Sequence, residues 1–167
     1  LLGPPGPDAG QLRALLECAV RVPDHGKLAP WRFIAIRGQA KAGLCEFLGA
    51  RSLERDPDAA PAVVEKDRLR FSHAPLVLAV IARLTPGHKV PEQEQLLSGG
   101  ALCFQLLLAA DAMGFGAQWL TGWPAYDEAV AGRLGLAGHE RILGFLHLGT
   151  AREAAPERER PDALSLL

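Results

Sequence analysis

Three side chains able to carry positive charge, Arg21, His25 and Lys27, stand close together in the run RVPDHGKLAPWRF (21–33). Two prolines and a glycine make this run loop-like, and an apolar, strand-like stretch follows at once. A second cationic pair, His88 and Lys89, lies in another proline-flanked loop, TPGHKVP (85–91), and Trp119, Leu120, Thr121 and Gly122 close a strand-like stretch further on. Cationic and hydrogen-bonding groups on loops at strand ends suit an anionic, planar ligand held by a rigid scaffold. Taken singly, each charge reads somewhat better as a solvated loop residue, and spacing alone does not settle the matter.

Other chemistries find less support. Gly114-Phe115-Gly116 has G-x-G spacing, but it lacks a third glycine and lies between a helix-like and a strand-like stretch. Dinucleotide binding needs a strand feeding a helix whose N-terminal amides meet the pyrophosphate, so a helix C-cap and turn is the better account. His25, His73, His88, His139 and His147 show no H-x-x-H or H-E-x-x-H spacing, and a metal site is not expected. No G-x-S-x-G elbow marks a serine hydrolase. Cys18, Cys45 and Cys103 are far apart in apolar helical patterns and are expected to be buried free thiols, which suits a reducing cytoplasm. A formal net charge of −1 gives no field to draw nucleic acid or an anionic membrane. No run nears the ~18 consecutive apolar residues of a membrane helix.

The elements that must position these residues can be read from periodicity. A chain of 167 residues, 49% hydrophobic and 22% charged, is expected to form one domain (1–167) with a real core. Asp8 and Gln11 have the spacing of an N-cap and a returning amide, and Leu12, Leu15, Leu16 and Ala19 follow at helical intervals, predicting a helix over about 9–20 that Pro23 stops. Trp31 to Arg37 alternates, with Trp31, Phe33 and Ala35 on one face of a strand and Arg32, Ile34 and Ile36 on the other. Amphipathic helices are expected over 41–50 and 61–71, and PLVLAVIA (75–82) reads as a central strand covered on both faces. Residues 92–113 form a long helix whose second half, ALCFQLLLAADAM, is apolar nearly all round and so belongs in the middle of the protein. Strands at 116–121 and 141–148 flank a short helix at 127–134. The charged tail from Thr150 ends in the apolar Ala163 to Leu167, a terminus expected to dock on something. The order predicts a mixed α+β layer structure.

These residues together resemble the FMN-dependent nitroreductases, most closely their small bacterial branch. Residues 21–33 are similar to that branch's R-A-P-D-H-x-x-x-Q-P-W-x-F segment. GHKVP (87–91) resembles the loop before its long central helix, GFGAQWLTG (114–122) its flavin-facing strand, and LHLGT (146–150) its closing strand. The resemblance runs over nearly the whole chain in the family's order. It implies a central, mainly antiparallel sheet flanked by helices, with a long buried central helix.

It also implies an NAD(P)H oxidoreductase that takes hydride from NADH or NADPH onto FMN and passes it, ping-pong, to nitroaromatic, quinone or similar conjugated acceptors, without a side-chain general acid. Matched position by position, Arg21 and His25 contact FMN, with Lys27 in the same segment. Trp119, Leu120 and Thr121 lie along the isoalloxazine ring, and Gly122 closes that stretch. PERERP (156–161) is similar to a late basic-x-basic-x-Pro element, which makes Arg158 and Arg160 phosphate partners. His88 and Gln93 fall at the substrate pocket. Family members are homodimers with flavin at the subunit interface, and the long helix and Leu164 to Leu167 are the apolar surfaces available for one here.

Three departures stand out. An Arg-Arg-Ser element that grips the phosphate opens the family's sequences, and nothing like it precedes Leu1, so a native N-terminal segment is expected to be missing here. Ala29 replaces the usual glutamine before Pro-Trp, and Gln93 replaces a frequent tryptophan. They leave two alternatives open: a dimeric flavin-binding protein without turnover, and an enzyme of the same fold that consumes the flavin.

Overall fold

The computed structural model describes residues 2–167. Its elements are β1 (Leu2–Gly3), α1 (Ala9–Ala19), β2 (Trp31–Ile36), α2 (Gly38–Arg55), α3 (Pro61–Arg68), β3 (Leu76–Arg83), α4 (Glu92–Ala112), β4 (Gly116–Leu120), α5 (Glu128–Arg133) and β5 (Glu140–Ala151). Single 3₁₀ turns occur at His25–Lys27, Trp123–Ala125 and Ala163–Leu166. The start of α1 follows the expected chemistry: the Asp8 carboxylate accepts from the Gln11 amide at 2.8 Å, and the Gln11 side chain accepts from the Asp8 amide at 2.9 Å.

All strand pairings are antiparallel, in the order β1-β5-β3-β2, with β4 paired to β5 as well. β3 lies inside the sheet and is buried from Leu76 to Ala82, as a strand covered on both faces must be. Its alternate residues feed two cores. Leu76, Leu78 and Val80 join Leu146 and Leu148 against α1 and α4, with Trp31 and Phe33 at the edge. Val77, Ala79 and Ile81 join Ile36, Phe145 and Ile142 against α2 and α5 on the opposite face. α3 packs on α2. A fork from Arg32 to Glu140, at 2.6 and 2.7 Å, ties the start of β2 to the start of β5. The Arg32 hydrogen bonds hold the Glu140 carboxyl down at about 2.

The structure corrects several expectations. α2 runs over Gly38–Arg55 rather than 41–50, because polar residues near its end have partners: buried Ser52 donates to Asp67 at 2.9 Å and Arg51 bonds Asp127. β1 is two residues long, too short for a pattern. Cys18 is exposed, since the buried line of α1 follows Leu15 and Ala19; Cys45 and Cys103 are buried, and burial pushes the Cys103 thiol up to about 12. α4 is buried along one stripe only, through Leu102, Cys103, Leu106, Ala109 and Ala110. Leu97, Phe104 and Leu108 on its other side are 64%, 56% and 50% exposed. Within one chain it is therefore covered on one side, against α1 and the sheet. The apolar terminus does not fold back on its own chain: Leu164, Leu166 and Leu167 are exposed.

Candidate functional site

The loop that follows α1 is built around Asp24. Its carboxylate accepts from the amides of Leu28 at 3.1 Å and Ala29 at 2.8 Å. That grip holds Lys27 (φ 54°) and Ala29 (φ 45°) in the left-handed region. For a side chain with a Cβ this costs roughly 1–2 kcal/mol each, and such residues collect at functional sites. Arg21, His25 and Lys27 are thereby presented on the surface. His25 Nδ1 lies 2.7 Å from Glu94 Oε2 on α4. A carboxylate only accepts, so Nδ1 carries the hydrogen, and Nε2 is the ring's remaining polar atom.

α4 also holds the rest of that loop and the one before it. Ser98 donates to the Pro23 carbonyl at 2.6 Å and accepts from the Trp31 indole at 3.1 Å. Gln95 accepts from the Thr85 amide at 2.8 Å and donates to the Val90 carbonyl at 3.1 Å. His88, between those two residues, accepts the Val90 amide on Nδ1 at 3.1 Å.

β4 reaches the same helix through a bulge. The β3–β5 register slips between Val80 and Ile81, leaving Leu143 as the extra residue of β5. The Trp119 indole donates to its carbonyl at 3.1 Å, and Leu143 packs against Gly99 of α4. Trp119 stands opposite Leu146, which belongs to the core beneath α4, so the tryptophan and the His25 loop share one face of the sheet. A Cβ on Gly144 would come within 2.1 Å of the Trp119 nitrogen, so the indole lies directly on that glycine. Gly122 (φ 66°, ψ −174°) ends the stretch in a conformation open essentially to glycine alone. Below it lies Arg70, fixed by Asp67 at 2.5 Å. Among the described residues β4 pairs only with β5, so its outer edge offers unpaired main-chain groups.

Three segments thus meet α4: the loop of His25, through Glu94 and Ser98; the loop of His88, through Gln95; and the Trp119 strand, through Leu143 against Gly99. Arg21 and Lys27 stand on the same loop as His25, Gln93 is on α4 itself, and Leu120, Thr121 and Gly122 continue the Trp119 edge. Trp119 and Leu120 are 38% and 37% exposed, Gln93 is exposed and His88 half-buried. Arg158 and Arg160 lie on the tail beyond Ala151, which is exposed throughout. Sequence reasoning missed Glu94, Gln95, Ser98 and Leu143. For Gln95 and Ser98 a signal existed: they are polar residues on the line continued by Leu102 and Leu106, where an ordinary amphipathic helix would be apolar.

The family model for nitroreductases matches residues 2–150. The chain belongs to the nitroreductase family. "Putative NAD(P)H nitroreductase YdjA" of Escherichia coli K12 is 34% identical over 151 residues, covering 89% of this chain and 80% of that protein. A nitroreductase-like protein from Bacillus cereus superposes with a TM-score of 0.80 at 20% identity, over 98% of this chain and 85% of the other. A nitroreductase with bound FMN from Bacteroides fragilis superposes at 0.70 and 19% identity, over 95% and 86%. The α+β fold, with its antiparallel sheet and flanking helices, is the nitroreductase fold.

Proposed function

We propose that this chain is an FMN-dependent NAD(P)H oxidoreductase of one domain, acting in the cytoplasm. It takes hydride from NADH or NADPH and, by ping-pong transfer in one shared pocket, reduces nitroaromatic, quinone or similar conjugated acceptors. The observation that carries this reading is the shared mounting of the cationic loop and the Trp119 edge on the first turns of α4. The donor set fits FMN: exposed cations for its phosphate, an apolar Trp119–Leu120 surface for its ring, and the unpaired edge of β4 for its polar rim.

When bound, FMN supplies the redox chemistry. The chain's own residues bind and orient. Arg21 and His25 neutralise the anionic cofactor, with Lys27 beside them, and charge-assisted bonds of this type contribute about 1.5–3 kcal/mol each when desolvated. Trp119, Leu120, Thr121 and Gly122 lie along the ring, His88 and Gln93 border the acceptor, and Arg158 and Arg160 reach the phosphate from the tail. The exposed Leu97, Phe104 and Leu108 face of α4 pairs with a second copy of this chain, so that each site is finished by two subunits.

Purified protein tests the reading. It should be yellow, bleach under anaerobic NADH or NADPH, and regain colour on adding a quinone. Protein that stays colourless after reconstitution with FMN would sink it.

A further inference from the structure

Gln95 is 2% exposed in the otherwise largely apolar stripe of α4. A bonded amide gains little over a hydrophobe in such a place, so stability alone does not call for glutamine there. What the amide does is specific. Oε1 accepts from Thr85, while Nε2 donates to Val90 and, at 3.4 Å, to the Thr85 carbonyl. Both partners are ends of one loop, so a single side chain braces it from below. Inside that brace His88 is turned onto the Val90 amide, and Lys89 is exposed beside it. One turn along the helix, Ser98 makes the matching pair of bonds to the other rim segment, at Pro23 and Trp31.

We infer that Gln95 is a positioning residue for the acceptor: by fixing the Thr85–Val90 loop it places His88 and Lys89 against the pocket and so sets which acceptors bind. Ser98 serves the Arg21–His25 loop separately. This rests on the oxidoreductase reading above.

Gln95→Met keeps length and volume but none of the bonds. In FMN-loaded protein assayed with saturating NADPH, it should raise KM for 1,4-benzoquinone about tenfold, with kcat and the FMN Kd held within about twofold. Amide hydrogen exchange should quicken in residues 85–90 and not in residues 21–30. Ser98→Ala should show the converse, weaker FMN binding with an unchanged quinone KM. Should Gln95→Met fail to fold, Gln95→Glu, which keeps the acceptor for Thr85 and loses the donors to Val90, carries the same expectation. Combined with His88→Ala, either variant should give a non-additive change in KM, since both act through one loop. An unchanged quinone KM, or an FMN Kd that rises in step with KM, would overturn the assignment. Failure of the wild-type chain to bind FMN would remove the oxidoreductase reading and the acceptor role with it; exchange over 85–90, which needs no flavin, would then separate a sound brace from a mistaken one.

Discussion

The indole N–H of Trp119 donates to the main-chain carbonyl of Leu143 at 3.1 Å, and Leu143 is the extra residue that a bulge adds to β5. That hydrogen bond and the close approach of the indole to Gly144 together hold the tryptophan in place. Gly144→Ala should therefore strike the site as well as the sheet. The added methyl has no room beside the Trp119 nitrogen. It should cost about 2 kcal/mol by overpacking, lower Tm by about 6 °C and weaken FMN binding at least about tenfold. Trp119→Phe keeps a ring but loses the bond, and should weaken FMN with little change in Tm. Thermal melts with and without FMN, and fluorescence titration of FMN, check both.

Gly122→Ala tests the end of the same edge. The new Cβ would meet Arg70 Nη1 at 2.9 Å in a backbone region that alanine avoids. FMN affinity should fall about tenfold or more. Arg70→Ala in the Gly122→Ala background should recover only part of it, because the backbone strain stays. Full recovery would show that steric contact alone was at fault.

Glu140 has a depressed carboxyl in the folded chain, about 2 against an ordinary 4.5, chiefly through its bonds to Arg32. The native state therefore binds fewer protons there than the unfolded one. The stabilisation is present above about pH 4.5 and is lost as pH falls toward 2. Glu140→Gln should cost about 2 kcal/mol near neutrality, because it leaves Arg32 without its charged partner. Urea midpoints of wild type and variant should converge between pH 4.5 and 2; parallel curves would refute the pairing as a stabiliser.

His147 acts in the same direction one window higher in pH. It is 4% exposed on the α2 face beside Phe71, and burial first, then the positive charge of His73, Lys41 and Arg70, lowers it to about 4. The unfolded chain takes up its proton first, so stability falls as pH drops from about 6.5 toward 4. The loss at the bottom of that window is up to about 3 kcal/mol. His147→Leu should flatten the stability profile there while leaving the Glu140 window intact.

The uncovered face of α4 makes a prediction about assembly. Phe104→Glu places a charge at the centre of the Leu97–Phe104–Leu108 patch. Light scattering at micromolar concentration should show wild type at twice the chain mass and the variant at one, with FMN binding lost alongside. A wild-type monomer in the presence of FMN would reject the two-subunit site.

How far these features could be read from sequence depended on whether each was local. The Asp8–Gln11 cap, the alternation of Trp31 to Ile36 and the doubly covered β3 rest on neighbouring residues, and the structure has them where periodicity put them. Arg21, His25, Lys27 and Trp119 could be named, but that the His25 loop and Trp119 lie on the α4 side of the sheet comes from pairings across the chain, such as His25 with Glu94 and Trp119 with Leu146. The Leu143 bulge left no trace, because an extra residue in an apolar strand looks like its neighbours. The extent of α2 was hidden by Arg51 and Ser52, polar residues whose partners, Asp127 and Asp67, lie far along the chain. Cys18 was misplaced because an apolar pattern identifies a helix more readily than the edge of its buried line.

β5 bonds to β1, β3 and β4, yet it occupies residues 140–151, near the end of the described chain. On the ribosome, three strands made earlier must wait, their hydrogen-bonding edges open, until residues 140–151 have emerged. The β2–β3 hairpin and the α1–α4 pairing are the structures able to form before then. The window before β5 arrives is when nascent chains are most exposed to mispairing with one another.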